Sequence, residues 1–147
     1  MIFTECVLAY IEQQYIDAFI SFVSSEFPAV SMLDYDMVNP SDPFGKMMLH
    51  NFKQRGIPLV GMSFFTSIGE IKKHYEEKGF VTEIHTMREM YYQVIDQDER
   101  KRIERLEFLD ELEEFYLVQE HYFMSLSTKV VPPCNQTKAK LMTNIHL

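Results

Sequence analysis

The chain opens on an apolar segment, residues 1–10, that contains one carboxylate, Glu5. Continuous apolar runs are typical of strands buried on both faces of a parallel sheet. We therefore expect a short strand that ends at Glu5, within the later part of a larger α/β domain. Because an unpaired buried carboxylate is costly, we also expect a hydrogen-bond donor for the Glu5 side chain.

Farther along, short β-rich runs alternate with segments of helical periodicity. Helices are predicted over residues 13–27, 42–55, 67–79, 87–95 and 98–120. Further strands are predicted over residues 30–38, 80–86 and 122–130. This alternation favours an open, largely parallel sheet with helices on both faces. The helix over 98–120 has the clearest apolar period, and its dense acidic run is most simply a solvated face, an acidic docking surface being the minority alternative.

Composition narrows the function classes. With 147 residues, 46% of them hydrophobic, and a net charge of −8, the chain suits one globular domain without a broad basic surface for nucleic acid. It contains no apolar run long enough to span a membrane. Two distant cysteines, Cys6 and Cys134, favour a reducing compartment such as the cytoplasm, and the histidine spacing predicts no metal site. We expect the polar residues 131–147 to form a flexible tail.

Candidate chemistry lies at strand ends, because the sequence holds no glycine-rich phosphate loop and no local catalytic triad. Two alternatives stay open for Glu5: a carboxylate satisfied by backbone N–H groups at a helix start, or a ligand contact. For Asp34 and Asp36, which flank Tyr35 at the end of the second predicted strand, solvation and turn hydrogen bonding are the favoured interpretation.

Three blocks of the sequence resemble the C-terminal half of the leucine carboxyl methyltransferases. In chain order they are TECVLAY at 4–10, LDYDMVNPSDPFGKMM at 33–48 and RIERLEFLDE at 102–111. The closing segment HYF at 121–123 also fits, so the resemblance covers residues 2–130. Residues 1–130 are accordingly expected to form the C-terminal part of such a domain, followed by a divergent tail.

The resemblance implies a class I, Rossmann-like fold with a seven-stranded sheet that binds S-adenosylmethionine. It implies methylation of the C-terminal leucine carboxylate of type 2A serine/threonine phosphatase catalytic subunits. Glu5 then corresponds to the family's cofactor-contacting acid, and Tyr10 to the tyrosine that faces the substrate carboxylate. The arginine that grips the carboxylate, the glycine-containing cofactor turn and the ribose-binding acid belong to the family's N-terminal half. The alternative is a catalytically inactive, truncated chain that binds the phosphatase tail or another partner.

Overall fold

The structure, a computed structural model, describes residues 1–107 and 109–130. Its strands are β1 (Ile2–Glu5), β2 (Ala29–Met37), β3 (Val81–Thr86) and β4 (Tyr122–Val130). Its helices are α1 (Gln13–Glu26), α2 (Pro43–Gln54), α3 (Ile68–Glu77), α4 (Met87–Glu89), α5 (Gln97–Glu104) and α6 (Leu112–Glu120). Two 3₁₀ turns, Leu8–Tyr10 and Val60–Ser63, and a π-helical turn, Met90–Val94, complete the elements. The predicted tail, with Cys134, lies outside the described residues.

The four strands form one sheet in the order β1-β2-β4-β3. β1 runs parallel to β2, whereas β4 is antiparallel to both of its neighbours. β1, β2 and β3 therefore run in one direction, as the prediction of a largely parallel sheet requires, and β4 is the exception among the described strands. The reason for the reversal of β4 lies in the connection after β3: α4 packs against α6 beyond the end of β3, and Thr86 pairs with Phe123. β4 starts where β3 ends and has to run in the opposite direction.

The two faces of the sheet are covered unequally. On one face Met32 and Asp34 of β2 are buried beneath α1 and α3, with Ile16, Ile20 and Tyr75 at most 1% exposed. The opposite face carries a partly exposed apolar set. Its members include Phe3, Leu33, Tyr35, Met124 and Leu126. The sequence predicts helices on both faces, but α1 and α3 lie against the same one.

The single helix predicted over 98–120 is wrong. α5 ends at Glu104 and α6 begins at Leu112. The apolar residues that suggest one long helix have little to pack on, since Leu106 is 70% exposed and Leu112 is 45% exposed. The acidic run adds like charges at helical spacing, which destabilise a continuous helix. The periodic pattern of apolar residues does not show whether the fold offers a surface against which they can pack.

Helix ends follow the sequence closely. The Asp42 carboxylate accepts a hydrogen bond from the Gly45 N–H at 2.7 Å and caps α2. The Ser67 hydroxyl accepts one from the Glu70 N–H at 3.2 Å and caps α3. Gly79 ends α3 with a φ of +84°, a backbone conformation that glycine adopts easily. None of the described helices is long and apolar enough to cross a membrane.

The outer edge of β1 leads to a prediction about association. Among the strands that the structure describes, β1 pairs with β2 alone, and Phe3 beside the outer edge is 55% exposed. Exposed apolar edges are templates for strand pairing, so the isolated chain should self-associate in size-exclusion chromatography. Phe3→Lys should shift it toward monomer, whereas Leu106→Lys, a charge at an exposed site away from the sheet, should not. A wild-type chain that stays monomeric at every concentration would contradict this expectation.

Candidate functional site

The carboxyl ends of β1 and β2 lie side by side and form the candidate site. Glu5 is in register with Tyr35, and the Cys6 N–H donates to the Tyr35 carbonyl at 2.7 Å. The Tyr35 ring stacks on Tyr122 of β4, with centroids 5.5 Å apart and an interplanar angle of 18°. Such an edge is where open α/β sheets bind ligands. We call Glu5, Cys6, Tyr10, Tyr35, Asp36 and Tyr122 the strand-end cluster.

A tight turn leaves β1 and carries the predicted substrate residue. Cys6 has a φ of +46°, in the left-handed region that is unusual for a residue with a side chain, and Leu8–Tyr10 then forms a 3₁₀ turn. Leu8 and Ala9 are buried at 3% and 0% exposure, whereas Tyr10 is 39% exposed. The Tyr10 ring makes an edge contact with Phe52 of α2, with centroids 6.5 Å apart. The turn thus holds its backbone inside and presents Tyr10 outside.

Glu5 does not have the buried environment that the sequence suggests. Its side chain is exposed and makes no hydrogen bond or ion pair with any residue that the structure describes. It lies on the rim of a shallow cleft of about 260 Å³, whose other lining residues are Phe3, Tyr35 and Met124. Among the described residues Glu5 therefore has no protein donor, because the alternation along β1 turns this residue toward the open face of the sheet.

Asp36 closes the buried side of the cluster. It is 1% exposed, and its Oδ2 accepts a hydrogen bond from the Ala9 N–H at 3.1 Å, while its Oδ1 accepts one from the Met37 N–H at 2.8 Å. Burial raises the pKa of Asp36, against the opposing effect of these N–H donors. The favoured interpretation of this acid as solvated is wrong, since it lies beneath the turn that carries Tyr10.

Asp34, two residues earlier on the same face, is also buried, at 1% exposure, and not solvated as expected. Its carboxylate accepts hydrogen bonds from the hydroxyls of Thr4 in β1, Tyr75 in α3 at 2.5 Å and Ser125 in β4 at 3.4 Å. Burial raises the pKa of Asp34, and the same carboxylate helps burial to raise the pKa of Tyr75 well above its ordinary value. This network joins three elements to β2.

The surroundings of the cysteine in the cluster favour its thiol form, as the direction of its pKa shift indicates. Burial raises the pKa of the Cys6 thiol, and the carboxylates of Asp36 and Glu5 raise it further. The pKa of Tyr122 is raised in the same way, by burial first and then by Cys6, Tyr35, Tyr10 and Asp36. Neutral hydroxyl and thiol groups therefore surround this edge, and the cluster suits binding and orientation better than covalent catalysis.

A second cavity of about 530 Å³ lies beyond the ends of β2 and β3, beside His121. His121 is buried at 1% exposure, with Nε2 2.9 Å from both Asp42 carboxylate oxygens and Nδ1 2.7 Å from the Leu117 carbonyl. Burial acts to raise the pKa of Asp42, but the Gly45 N–H and His121 outweigh this effect and hold the pKa below its ordinary value. No local sequence pattern predicts this pair, because 79 residues separate its members.

The described residues contain no group of three or more histidine, cysteine or acidic side chains that could hold a metal ion. Of the two site residues predicted from the family, Glu5 and Tyr10, the structure brings both to one turn at the carboxyl edge of the sheet. Sequence reasoning missed the stacked Tyr35 and Tyr122 and the support from Asp36. Tyr35 and Asp36 belong to β2 and Tyr122 begins β4, so the sequence shows that these residues meet only once the pairing of β2 with β4 is known.

The similar curated proteins include tRNA wybutosine-synthesizing proteins and leucine carboxyl methyltransferases. The chain is 33% identical over 130 residues to tRNA wybutosine-synthesizing protein 4 of Rattus norvegicus, covering 88% of this chain and 19% of that protein. It is 31% identical over 122 residues to the leucine carboxyl methyltransferase 1 homolog of Arabidopsis thaliana, covering 82% of this chain and 37% of that protein. Leucine carboxyl methyltransferase 1 of Yarrowia lipolytica is also 31% identical, over 123 residues, with 83% and 38% covered.

These matches confirm the resemblance to the leucine carboxyl methyltransferases. The chain spans about a fifth of the rat relative and less than two fifths of the other two. No family model matches the sequence.

The fold is also that of solved methyltransferases. A phosphoethanolamine N-methyltransferase 2 from Haemonchus contortus, solved in complex with S-adenosyl-L-methionine, superposes with a TM-score of 0.50. The match covers 89% of this chain and 33% of that chain at 16% sequence identity. At this identity the likeness concerns the fold, and it confirms the predicted Rossmann-like architecture with flanking helices.

The buried charge of Asp34 predicts a pH effect on stability. Its pKa is raised in the folded state, so this group contributes stability at low pH that is lost as the pH rises through the folded pKa. Lowering the pH from neutrality to below the ordinary aspartate pKa of about 3.9 should therefore stabilise the wild type relative to Asp34→Asn. Urea unfolding at several pH values measures this, and Asp98→Asn, at a side chain that is 92% exposed, is the control. A pH-independent difference between wild type and Asp34→Asn would contradict it.

Substitution of Gly61 tests how closely the Leu8–Tyr10 turn packs against the neighbouring 3₁₀ turn. A Cβ on Gly61 would meet the Leu8 carbonyl oxygen and would stand 2.6 Å from that of Ile11. Gly61→Ala should therefore lower the free energy of unfolding by about 1–3 kcal/mol, as overpacking does. Gly69→Ala, where the nearest atom is 3.8 Å away, should raise it by up to about 1 kcal/mol. Chemical denaturation gives both values, and equal effects would disprove the close approach.

Proposed function

We propose that this chain forms part of an S-adenosylmethionine-dependent methyltransferase that acts on a C-terminal leucine carboxylate of type 2A phosphatase catalytic subunits. The observation that carries the proposal is that Glu5 and Tyr10 stand at the two ends of one turn, both exposed, at the carboxyl edge of the sheet. Resemblance to the leucine carboxyl methyltransferases supports the same assignment. In it, Glu5 contacts the cofactor and Tyr10 faces the substrate carboxylate.

The chemistry asks little of the side chains. A free α-carboxylate has a pKa of about 3.3–3.7, so at neutral pH it is already the nucleophile and needs no general base. Its oxygen attacks the methyl carbon, the bond from that carbon to the sulfonium sulfur breaks, and S-adenosylhomocysteine leaves. The protein has to align oxygen, carbon and sulfur and to exclude water. A strand-end cluster of neutral tyrosines beside an exposed carboxylate suits this task better than it suits proton transfer.

Each residue has a role that follows from its chemistry. Glu5 carries a negative charge that suits a cofactor with a sulfonium and an ammonium group. The Tyr10 hydroxyl is a hydrogen-bond donor that orients a carboxylate without taking its proton. Phe3, Tyr35 and Met124 give the cleft at Glu5 an apolar floor. The cationic grip on the carboxylate, the glycine-containing turn and the ribose-binding acid are not assigned to residues of this chain.

The isolated chain should consequently bind S-adenosylmethionine weakly or not at all, because Glu5 is one contact of a larger site. The alternative function is a non-catalytic chain that binds the phosphatase tail or another partner. Titration calorimetry separates the two ideas when the cofactor and a leucine-terminated peptide are titrated separately. Binding of the peptide alone, without methyl transfer under any condition, would favour the alternative.

A second acceptor class follows from the similarity to tRNA wybutosine-synthesizing protein 4, which over this segment is as strong as that to the leucine carboxyl methyltransferases. Such an acceptor would be a modified nucleoside in transfer RNA. The net charge of −8 argues against a broad RNA-binding surface on this segment, so the peptide carboxylate remains the preferred substrate. An assay that offers both acceptors decides between them.

The assignment is tested in the longest natural polypeptide that contains this segment. Tyr10→Phe should lower kcat for a leucine-terminated peptide roughly ten- to a hundredfold, and Glu5→Ala should raise the Kd for S-adenosylmethionine by a similar factor, since a hydrogen bond to a charged group is worth about 1.5–3 kcal/mol. Transfer of a radiolabelled methyl group and calorimetry give the two quantities. Tyr15→Phe and Glu26→Ala, at exposed sites on α1, are the matched controls.

Three acceptors complete that experiment: the leucine-terminated peptide, the same peptide with an amidated C-terminus, and unfractionated transfer RNA. The amidated peptide should accept no methyl group, because it lacks the nucleophile. Methylation of transfer RNA alone would replace the proposed substrate by the second acceptor class. Wild-type kinetics in both Tyr10→Phe and Glu5→Ala would overturn the residue roles.

A further inference from the structure

The turn between Glu5 and Tyr10 contains an unfavourable backbone conformation and a long internal hydrogen bond, so other contacts have to stabilise it. Cys6 adopts a left-handed conformation, which is unfavourable for an ordinary L-residue. Inside the turn the Tyr10 N–H reaches the Val7 carbonyl only at 3.3 Å, and the Ile11 N–H reaches that of Leu8 at 2.9 Å. The hydrogen-bond geometry of a 3₁₀ turn is poorer than that of an α-helix, so contacts from outside the turn add to its stability.

Besides the buried packing of Leu8 and Ala9 and the close approach of Gly61, the turn is supported by one buried carboxylate. Asp36 Oδ2 accepts the hydrogen bond of the Ala9 N–H at 3.1 Å, and the Leu8 N–H also faces this carboxyl group. Its other oxygen is held by the Met37 N–H at 2.8 Å, so the side chain cannot rotate without losing a partner. Asp36 is 1% exposed and extends from a strand of a well-packed sheet, which makes it a rigid anchor.

Asp34 offers an internal comparison on the same strand face. Its partners are side-chain hydroxyls of β1, α3 and β4, all within the packed scaffold. The partner of Asp36 outside its own strand is the backbone of the turn that carries Tyr10. Two acids of equal burial, two residues apart, thus support different parts of the molecule: Asp34 the scaffold, and Asp36 the turn.

We propose that Asp36 is a positioning residue for methyl transfer, fixing the turn so that the Glu5 carboxylate and the Tyr10 hydroxyl keep the separation that the reaction needs. This inference rests on the proposed function. Asp36 does not touch the reacting atoms, because the buried turn lies between it and Tyr10. Its effect is transmitted through the Ala9 N–H, and small displacements of a group that orients a reactant lower the rate strongly.

Asp36→Asn is nearly isosteric but replaces one acceptor oxygen by an NH₂ group, which would face a backbone N–H donor. In the longest natural polypeptide that contains the segment, we expect kcat to fall tenfold or more while the KM for the leucine-terminated peptide stays within about twofold. Hydrogen exchange of the Leu8 and Ala9 amides should accelerate at least tenfold, with the amides of β2 and β4 unchanged. Asp34→Asn, the matched comparison, should lower the melting temperature and should lower kcat less than Asp36→Asn does, with Ala9 exchange close to wild type.

Asp36→Glu keeps the carboxylate and serves as the second variant if Asp36→Asn does not fold. It should retain a higher kcat and slower exchange of the Ala9 amide than Asp36→Asn does. Unchanged Ala9 exchange in Asp36→Asn, or a fall in kcat equal to that of Asp34→Asn, would overturn the proposal; so would an Asp36→Glu protein that is folded but has lost both kcat and Ala9 protection.

The exchange measurement is independent of catalysis, so it distinguishes failure of the proposed function from failure of the positioning role of Asp36. If the wild type methylates none of the three acceptors, the proposed function fails. Faster Ala9 exchange in Asp36→Asn would still show that Asp36 holds the turn, and only the link to methyl transfer would be lost. If the wild type is active and the Ala9 exchange is unaffected, the proposed function stands and the positioning role is wrong.

Discussion

The hydrogen bonding of the buried Asp34 carboxylate sets the frame on which the candidate site depends. A carboxylate away from water has to be matched by donors, and removing one partner of such a group costs more than the bond contributes. Here the donors come from β1, α3 and β4 and meet at the centre of β2. Satisfying this one group therefore fixes which residue of β1 lies opposite which residue of β2, and places Glu5 beside Tyr35.

The alternation along a strand then divides the roles. Thr4, Asp34 and Asp36 point to the buried face, where they hold the scaffold and the turn, while Glu5 and Tyr35 point to the open face. Because side chains alternate with a period of two, a slip of one residue between β1 and β2 would bury Glu5 and expose Thr4. The Asp34 network penalises such a slip, since it would lose the Thr4 hydroxyl.

Local patterns predicted most of the elements, because helix periods, caps and β-rich runs are properties of neighbouring residues. The caps at Asp42 and Ser67, for example, depend on contacts only three residues away. The environment of the acids was not predictable in this way. Asp34 is separated by 30, 41 and 91 residues from its donors, so nothing near it in the chain distinguishes a buried acid from a solvated one. The prediction of one helix continuing past Glu104 failed for the same reason. Its apolar stripe implied a surface to pack against, which the fold does not provide.

The position of Glu5 and Tyr10 at the strand end was accessible from the family resemblance, but their mutual geometry was not. It depends on a left-handed residue at Cys6 and on the distant Asp36, neither of which a motif encodes. A motif records which side chains meet the ligand, whereas the hydrogen bond from the Ala9 N–H to Asp36 determines where those side chains stand. In this fold the precision of the exposed turn therefore derives from the sheet beneath it: the strand that pairs with β1 also carries the carboxylate that holds the turn in place.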